Sequence, residues 1–267
     1  MLSAVLGVTS ILFVGDSLVA SQYFWLREAL VEQGYRCAES AARHHAEGSV
    51  KHSLCNGTEP ESIELALLAN IPSIPGLRHN RDSQPFKCAR FAAASERALG
   101  NGTRARAVVF NVGAWYEWWQ NHTSAEALAR FEVDVRKLGT CLARLARPGD
   151  RVVWREVAPS HFSSPDGSFG ALLAAIFDGT AARDAPCRPL APGVEPWQVA
   201  YNRAADLVLP ARVERLRVYD ATAPLWDDHK ATTATASGIR DCTHFADGGD
   251  AQALWTRLLL ALLARET

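Results

Sequence analysis

The sequence predicts an α/β fold, a parallel sheet sandwiched between helices, on three observations. Short continuous apolar runs, which read as buried strands, alternate with stretches whose apolar residues recur at helical spacing. The runs at the two clearest strands end at glycine or at a polar residue followed by glycine. The chain is 267 residues long, enough for one core with elaborated loops. Alternation of this kind places ligands at the C-terminal ends of the strands. No internal repeat or low-complexity tract interrupts it, so residues 1–267 are read as one domain.

The first strand is Ser10-Ile11-Leu12-Phe13-Val14, ending at Gly15. A helix follows, with Leu18, Val19, Tyr23, Phe24, Leu26, Leu30 and Val31 at three- and four-residue spacing and Gly34 as its stop. Patterning weakens over residues 35–104. There, residues 59–69 read as helix, and residues 71–87, rich in Pro, Arg, Asn and Ser, read as a long loop. The second strand, Ala107-Val108-Val109-Phe110-Asn111, is followed by the capping box Thr123-x-x-Glu126. That box opens a long helix with the stripe Leu128, Phe131, Val135, Leu138, Leu142 and Leu145. Pro148-Gly149-Asp150 turns the chain into a third strand, residues 151–154. A Pro/Gly/Ser-rich stretch (158–196), a helix (196–209), a strand (217–219), a polar loop (222–249) and a leucine-rich closing helix (251–263) complete the reading.

Hydrophobic residues at 48% and charged residues at 21% exclude a disordered tail or a collagen-like fibre. With 28 basic against 29 acidic residues there is no field to attract nucleic acid or an anionic membrane, so neither is an expected partner. No stretch has the length and apolarity of a membrane helix, which leaves membrane association to segments outside this chain. Residues 1–14 are apolar but lack a basic start, and read as a core strand rather than a signal peptide. Six cysteines and the sequons at Asn56, Asn101 and Asn121 point to a secretory-pathway lumen. Cys37, His44, His45, His52 and Cys55 are metal-binding residue types, but their spacing fits no common zinc pattern, and no metal is expected. Cys141, on the long helix, reads as a buried thiol.

Three elements carry chemistry. Ser17, in Val14-Gly15-Asp16-Ser17-Leu18, sits at a strand-to-helix junction, where its hydroxyl is exposed and its N–H lies in the first helical turn. Alone it is equally well a helix cap. In Asp241-Cys242-Thr243-His244-Phe245, the three-residue spacing lets Asp241 orient one imidazole nitrogen of His244 while the other faces a serine. Asn111, at the tip of the second strand, offers an amide toward a developing oxyanion, beside the Ser17 N–H. The order Ser, Asp, His says more than any piece, because a hydrolytic serine needs a base within hydrogen-bond reach.

Four blocks in sequence order resemble the PC-esterase family of the GDSL/SGNH superfamily, typified by plant trichome birefringence-like polysaccharide O-acetyltransferases. They are the Gly15-Asp16-Ser17 block, residues 109–116 around Asn111, residues 154–162 from Trp154 to Phe162, and Asp241 to Phe245 followed by Trp255. Gly113-Ala114-Trp115-Tyr116 stands where the plant members usually carry Gly-His-Trp-Trp, and Phe245 where they carry tryptophan. The resemblance implies a flavodoxin-like, three-layer SGNH sandwich with long active-site loops. It also implies a catalytic Ser17, Asp241 and His244, and acyl transfer to or from a sugar hydroxyl. On this reading the protein O-acetylates a poly- or oligosaccharide in the Golgi lumen or outside the cell. An O-acetyl esterase, or a non-catalytic carbohydrate-binding protein, is the alternative. No cofactor is expected beyond an acyl donor such as acetyl-CoA or an acetylated intermediate. The resemblance further suggests a disulfide between Cys187 and Cys242, and it places His229 in a block outside the triad. Asp16, Trp115, Tyr116, Arg155 and His161 are the expected substrate contacts, with the aromatic cluster of Trp115, Tyr116, Trp118 and Trp119 offering rings for sugar faces.

Overall fold

The computed structural model describes residues 8–45, 48–57, 62–69, 87–99, 106–114, 116, 125–230 and 238–265. Its elements in chain order are β1 (Ser10–Gly15), α1 (Ser17–Glu32), β2 (Arg36–His45), β3 (Gly48–Asn56), β4 (Ser62–Ala69), α2 (Cys88–Leu99), β5 (Arg106–Phe110) and α3 (Ala125–Leu145). They continue with β6 (Arg151–Arg155), α4 (Phe169–Phe177), α5 (Trp197–Val208), β7 (Glu214–Leu216), α6 (Tyr219–Thr222) and α7 (Asp250–Leu263). The strands form one sheet in the order β2-β3-β4-β1-β5-β6-β7. β4, β1, β5, β6 and β7 run parallel. The β2–β3 hairpin adds two antiparallel strands at the β4 edge, so the sheet is mixed rather than purely parallel.

Alternate residues of the central strands feed two cores, as a period-two side-chain pattern requires. Leu12, Val14, Phe110, Val152 and Trp154 pack with residues of α2, α3 and α5, including Phe91, Phe131 and Tyr201. Ile11, Phe13, Val109 and Val153 pack with residues of α1 and α7, including Tyr23, Leu26, Trp255 and Leu259. Helices therefore cover both faces of an α/β sandwich, and β1, buried at every residue, explains the unbroken apolar run. Counting the parallel strands alone, the order is the flavodoxin-like one, with β4 on one side of β1 and β5 on the other. The crevice beyond the C-terminal end of β1 is thus the topological switch point, and Ser17 follows β1 there.

Several expectations are corrected. Residues 62–69 form β4, not helix: Ile63 and Leu65–Leu68 are buried between β1 and β3, and a central sheet position overrides the helical preference of a Leu/Ala/Glu-rich segment. Within the Pro/Gly/Ser-rich stretch 158–196, for which no element was expected, lies α4, capped by Ser168, whose side chain accepts from the Ala171 N–H. The last strand is residues 214–216 rather than 217–219. Glu156 accepts hydrogen bonds from the Val218 and Tyr219 N–H groups at 2.9 and 3.0 Å, which draws that stretch out of the ladder and starts α6. All six cysteines pair, as Cys37–Cys55, Cys88–Cys141 and Cys187–Cys242. Cys141 is therefore no free thiol, and Cys37 and Cys55, direct cross-strand neighbours in the β2–β3 hairpin, are no metal ligands. Thr123 of the expected capping box, residues 71–86 of the expected loop, and Asn101 and Asn121 lie outside the described residues.

Candidate active site

β1 delivers the chain to the rim, and the turn after it is tight. A Cβ at Gly15 would lie 2.4 Å from the Asn111 carbonyl oxygen at the tip of β5, so only glycine allows the two strand ends to approach this closely. Asp16 then caps α1: its Oδ1 accepts from the Leu18 N–H at 3.0 Å, and its Oδ2 accepts from the Ala114 N–H at 3.3 Å. These bonds tie the start of α1 to the β5 loop and fix Ser17 as the first helical residue.

The second half of the site arrives from the loop before α7. Asp241 Oδ1 accepts the backbone N–H groups of Thr243 and His244, both at 3.0 Å, folding the loop around its own carboxylate. Asp241 Oδ2 lies 2.7 Å from His244 Nδ1, and His244 Nε2 lies 2.6 Å from Ser17 Oγ. With Nδ1–H donating to the carboxylate, Nε2 accepts from the serine hydroxyl, the tautomer a general base needs. Burial pushes the Asp241 carboxyl up, but the hydrogen bond and charge of His244 and the two backbone amides outweigh it and hold the carboxyl below its ordinary value. The structure thus joins three residues, two of them over 200 positions from the first, in one hydrogen-bonded line.

This loop is tied down from behind. Cys242 is bonded to Cys187, its carbonyl accepts from the His161 N–H at 2.9 Å, and the His244 carbonyl accepts from the Lys230 N–H at 3.1 Å. Replacing Cys187 and Cys242 together with serine is expected to lower stability by about 2 to 4 kcal/mol. A denaturant midpoint equal to that of the unaltered protein would count against the brace.

Behind the loop, His161 Nδ1 and His229 Nε2 meet at 2.6 Å, while His161 Nε2 reaches the Ala223 carbonyl at 2.9 Å and His229 Nδ1 the His244 carbonyl at 3.2 Å. Burial lowers the basicity of both rings, and the proximity of His161 adds to the effect on His229, pushed down to about 3. Both are neutral at pH 7, so two ring protons serve three contacts. His161 Nε2–H donates to the Ala223 carbonyl, which can only accept, and the single His229 ring proton serves either His161 Nδ1 or the His244 carbonyl.

The residues expected to touch substrate are placed elsewhere. His161 is fully buried in this pair, so it supports the loop and does not face a ligand. Tyr116 is buried in the core beyond β5, donating its Oη–H to Asp134 at 2.7 Å and packing on Phe131 and Tyr201. Asp16 and Arg155 are buried as well; no hydrogen bond or ion pair joins them, and they act on each other through space beneath the Gly15-Asp16-Ser17 turn. Burial raises the Asp16 carboxyl, opposed by the Arg155 charge; burial lowers the Arg155 guanidinium to about 10, opposed by Asp16, which leaves it cationic at pH 7. The guanidinium lies 4.7 Å from the centre of the Trp255 ring, a cation–π contact at the core of α7. Arg155→Met is expected to destabilise the protein by about 1 to 3 kcal/mol, because Asp16 would lose the nearby charge that offsets its desolvation and Trp255 its cation–π contact. A thermal-melt comparison checks this, and an Arg155→Met melt at the wild-type temperature would contradict it.

Asn111 is corrected too. It is fully buried, and its Nδ2 donates to the Arg155 carbonyl at 2.8 Å, which braces the ends of β5 and β6 instead of offering an amide to the cleft. Trp115, Trp118 and Trp119 lie outside the described residues.

Ser17, Asp241 and His244 open onto a cleft of about 970 Å³. Its other wall is α1, which lines it with Ser21, Trp25, Glu28 and Glu32, and Gln252 of α7 also contributes. Sequence reasoning passed over these residues. Their signal was present: positions 17, 21, 25, 28 and 32 share one helix face at three- and four-residue spacing.

No family model and no curated protein matches the chain. Among solved structures it is similar to a GDSL-like lipase from Parabacteroides merdae ATCC 43184, at 11% identity and a TM-score of 0.45 over 95% of this chain and 94% of that one. It is also similar to an acetylxylan esterase from Geobacillus stearothermophilus, at 10% identity and a TM-score of 0.43 over 97% of this chain and 95% of that one.

Proposed function

We propose that this protein is a serine-dependent acyl-transfer enzyme of the SGNH kind that moves an acetyl group onto a carbohydrate hydroxyl. The observation that carries the chemistry is the line Asp241–His244–Ser17, with contacts of 2.7 and 2.6 Å, at the mouth of a large cleft. In the first step Ser17 Oγ attacks the acyl carbonyl, its proton passes to His244 Nε2, and Asp241 stabilises the imidazolium. The Ser17 N–H, in the first turn of α1, donates to the oxyanion. His244 then returns the proton to the leaving oxygen, and an acyl ester on Ser17 remains. In the second step His244 takes the proton of an incoming hydroxyl as that oxygen attacks the acyl-enzyme, and Ser17 is regenerated.

The carbohydrate and the PC-esterase relationship rest on the four resembling blocks. A secretory-pathway lumen is supported by the pairing of all six cysteines. Hydrolysis, with water as the acceptor, is the second reading, and the observation in its favour is that the His244 side chain remains 29% exposed in the cleft. An acceptor screen decides between them: the protein is given an acetyl ester and a panel of neutral oligosaccharides, and products are read by mass spectrometry. Acetylated oligosaccharide supports transfer. Free acetate alone, with every acceptor, replaces transfer by hydrolysis.

A further inference from the structure

The cleft is much larger than an acetyl group, and α1 supplies over half of its lining residues, from Ser17 to Glu32. Trp25 is two helical repeats beyond Ser17, about 12 Å along the axis at 1.5 Å per residue. Its indole packs over Gly248 on the facing wall, where a Cβ would come within 3.3 Å of the ring, and Gly248 adopts φ +80°. Gly248 thus rests against the Cζ3–Cη2 edge of the indole, and the half-buried ring also lines the cleft. Phe24, its neighbour, is occupied by the Lys51 ammonium 4.5 Å away and by the edge of Tyr23. No ring or cation partner of Trp25 is seen among the described residues.

Charge gives the second observation. Among the described residues, four carboxylates line the cleft, those of Glu28, Glu32, Asp241 and Asp247, against one ammonium, that of Lys230. Lys230 is itself paired with Asp247 at 3.0 Å. Arg27, behind the wall, is shared between Glu28 and Glu39. A concave site in which carboxylates outnumber cations carries a negative field and repels polyanionic ligands. Carboxylates beside an aromatic face also accept hydrogen bonds from hydroxyls whose C–H faces rest on the ring.

Resting on the acyl-transfer reading, we propose that Trp25, with Glu28 and Glu32, forms a distal subsite along α1 that takes the uncharged, hydroxyl-rich chain of an acylated oligosaccharide and turns away polyanionic acyl carriers. Such carriers include thioesters bearing several phosphates, so the acyl donor used in this cleft is a neutral ester.

The test compares acetylated xylo-oligomers, from dimer to hexamer, with p-nitrophenyl acetate on the same preparation. A ratio of kcat/KM values is unaffected by any inactive fraction. The hexamer-to-small-ester ratio is expected to exceed the dimer-to-small-ester ratio, and Trp25→Ala is expected to lower the hexamer ratio about five- to tenfold, the worth of one aromatic contact. Trp25→Phe, which keeps a ring, should retain most of it. A ratio independent of length, unchanged in Trp25→Ala, or reduced equally by both substitutions would overturn the platform. The double variant Glu28→Gln, Glu32→Gln should raise the use of acetylated oligogalacturonate relative to the xylo-hexamer, most strongly at low salt. An unchanged preference, or efficient use of acetyl-CoA by the unaltered protein, would overturn the charge selection. Failure of the underlying reading looks different: p-nitrophenyl acetate would then be turned over as well by Ser17→Ala as by the unaltered protein.

Discussion

Ser17→Ala is expected to lower the rate of acyl transfer from an activated acetyl ester by about 10⁴- to 10⁶-fold, the loss typical of removing a triad nucleophile. The substitution deletes one oxygen at a helix start whose position is set by other groups. Asp16 still caps α1, and the Gly15 turn still meets β5. Folding should therefore be preserved, with a melting temperature close to that of the unaltered protein, and the loss should appear in kcat. The residual rate would come from binding alone. A Ser17→Ala protein that folds and keeps a rate within a few-fold of the original would remove the nucleophile from this account.

Asp241→Asn is expected to cost about 10⁴-fold in kcat, by analogy with serine enzymes in which the same change supports the wrong imidazole tautomer. Here the carboxylate does two things. Its Oδ2 holds His244 Nδ1, and its Oδ1 accepts two backbone amides of the same loop. An asparagine can keep the Oδ1 bonds but presents an N–H to Nδ1, so Nε2 takes the ring proton and cannot accept from Ser17. The pH dependence of stability should change as well. Because the Asp241 carboxyl is held below its ordinary value in the folded protein, it contributes stability above its unfolded value that is lost as pH falls through the folded one. The asparagine variant should lose that segment of the acid-unfolding curve. Equal rates for Asp241→Asn and the unaltered protein would leave Asp241 a loop-folding residue only.

How much of this could be read from the sequence depended on whether local pattern or long-range packing decides an element. β1, α1 and β5 were legible because burial on both faces produces continuous apolar runs and an amphipathic helix needs its stripe. The hydrogen-bonded line Asp241–His244–Ser17 was legible because the proposed chemistry demands particular residue types next to predictable junctions. β4 was not, since a Leu/Ala/Glu-rich segment favours helix until the neighbouring strands β1 and β3 are placed around it. The pairing of Cys37 with Cys55 follows from the β2–β3 register, which nothing local announces. The same limit explains Arg155, His161, Tyr116 and Asn111. Polar residues near strand ends read as ligand contacts, and only the packed structure reveals that each is buried, Arg155 against the Trp255 ring and His161, Tyr116 and Asn111 hydrogen-bonded to His229, Asp134 and the Arg155 carbonyl respectively. The cleft wall on α1 was missed for the opposite reason. Trp25 sits beside the core stripe, and helical spacing alone does not say that the face it shares with Ser17 borders a cavity.

The most direct measurement is the site of covalent acylation. The protein is mixed briefly with p-nitrophenyl acetate, quenched in acid, digested and analysed by mass spectrometry, with Ser17→Ala and His244→Ala alongside. The account predicts one acetyl group on the peptide that contains Ser17, localised to that residue and missing from both variants. An acetyl group on any other side chain, or ester turnover through His244 with Ser17 never labelled and dispensable, would contradict it.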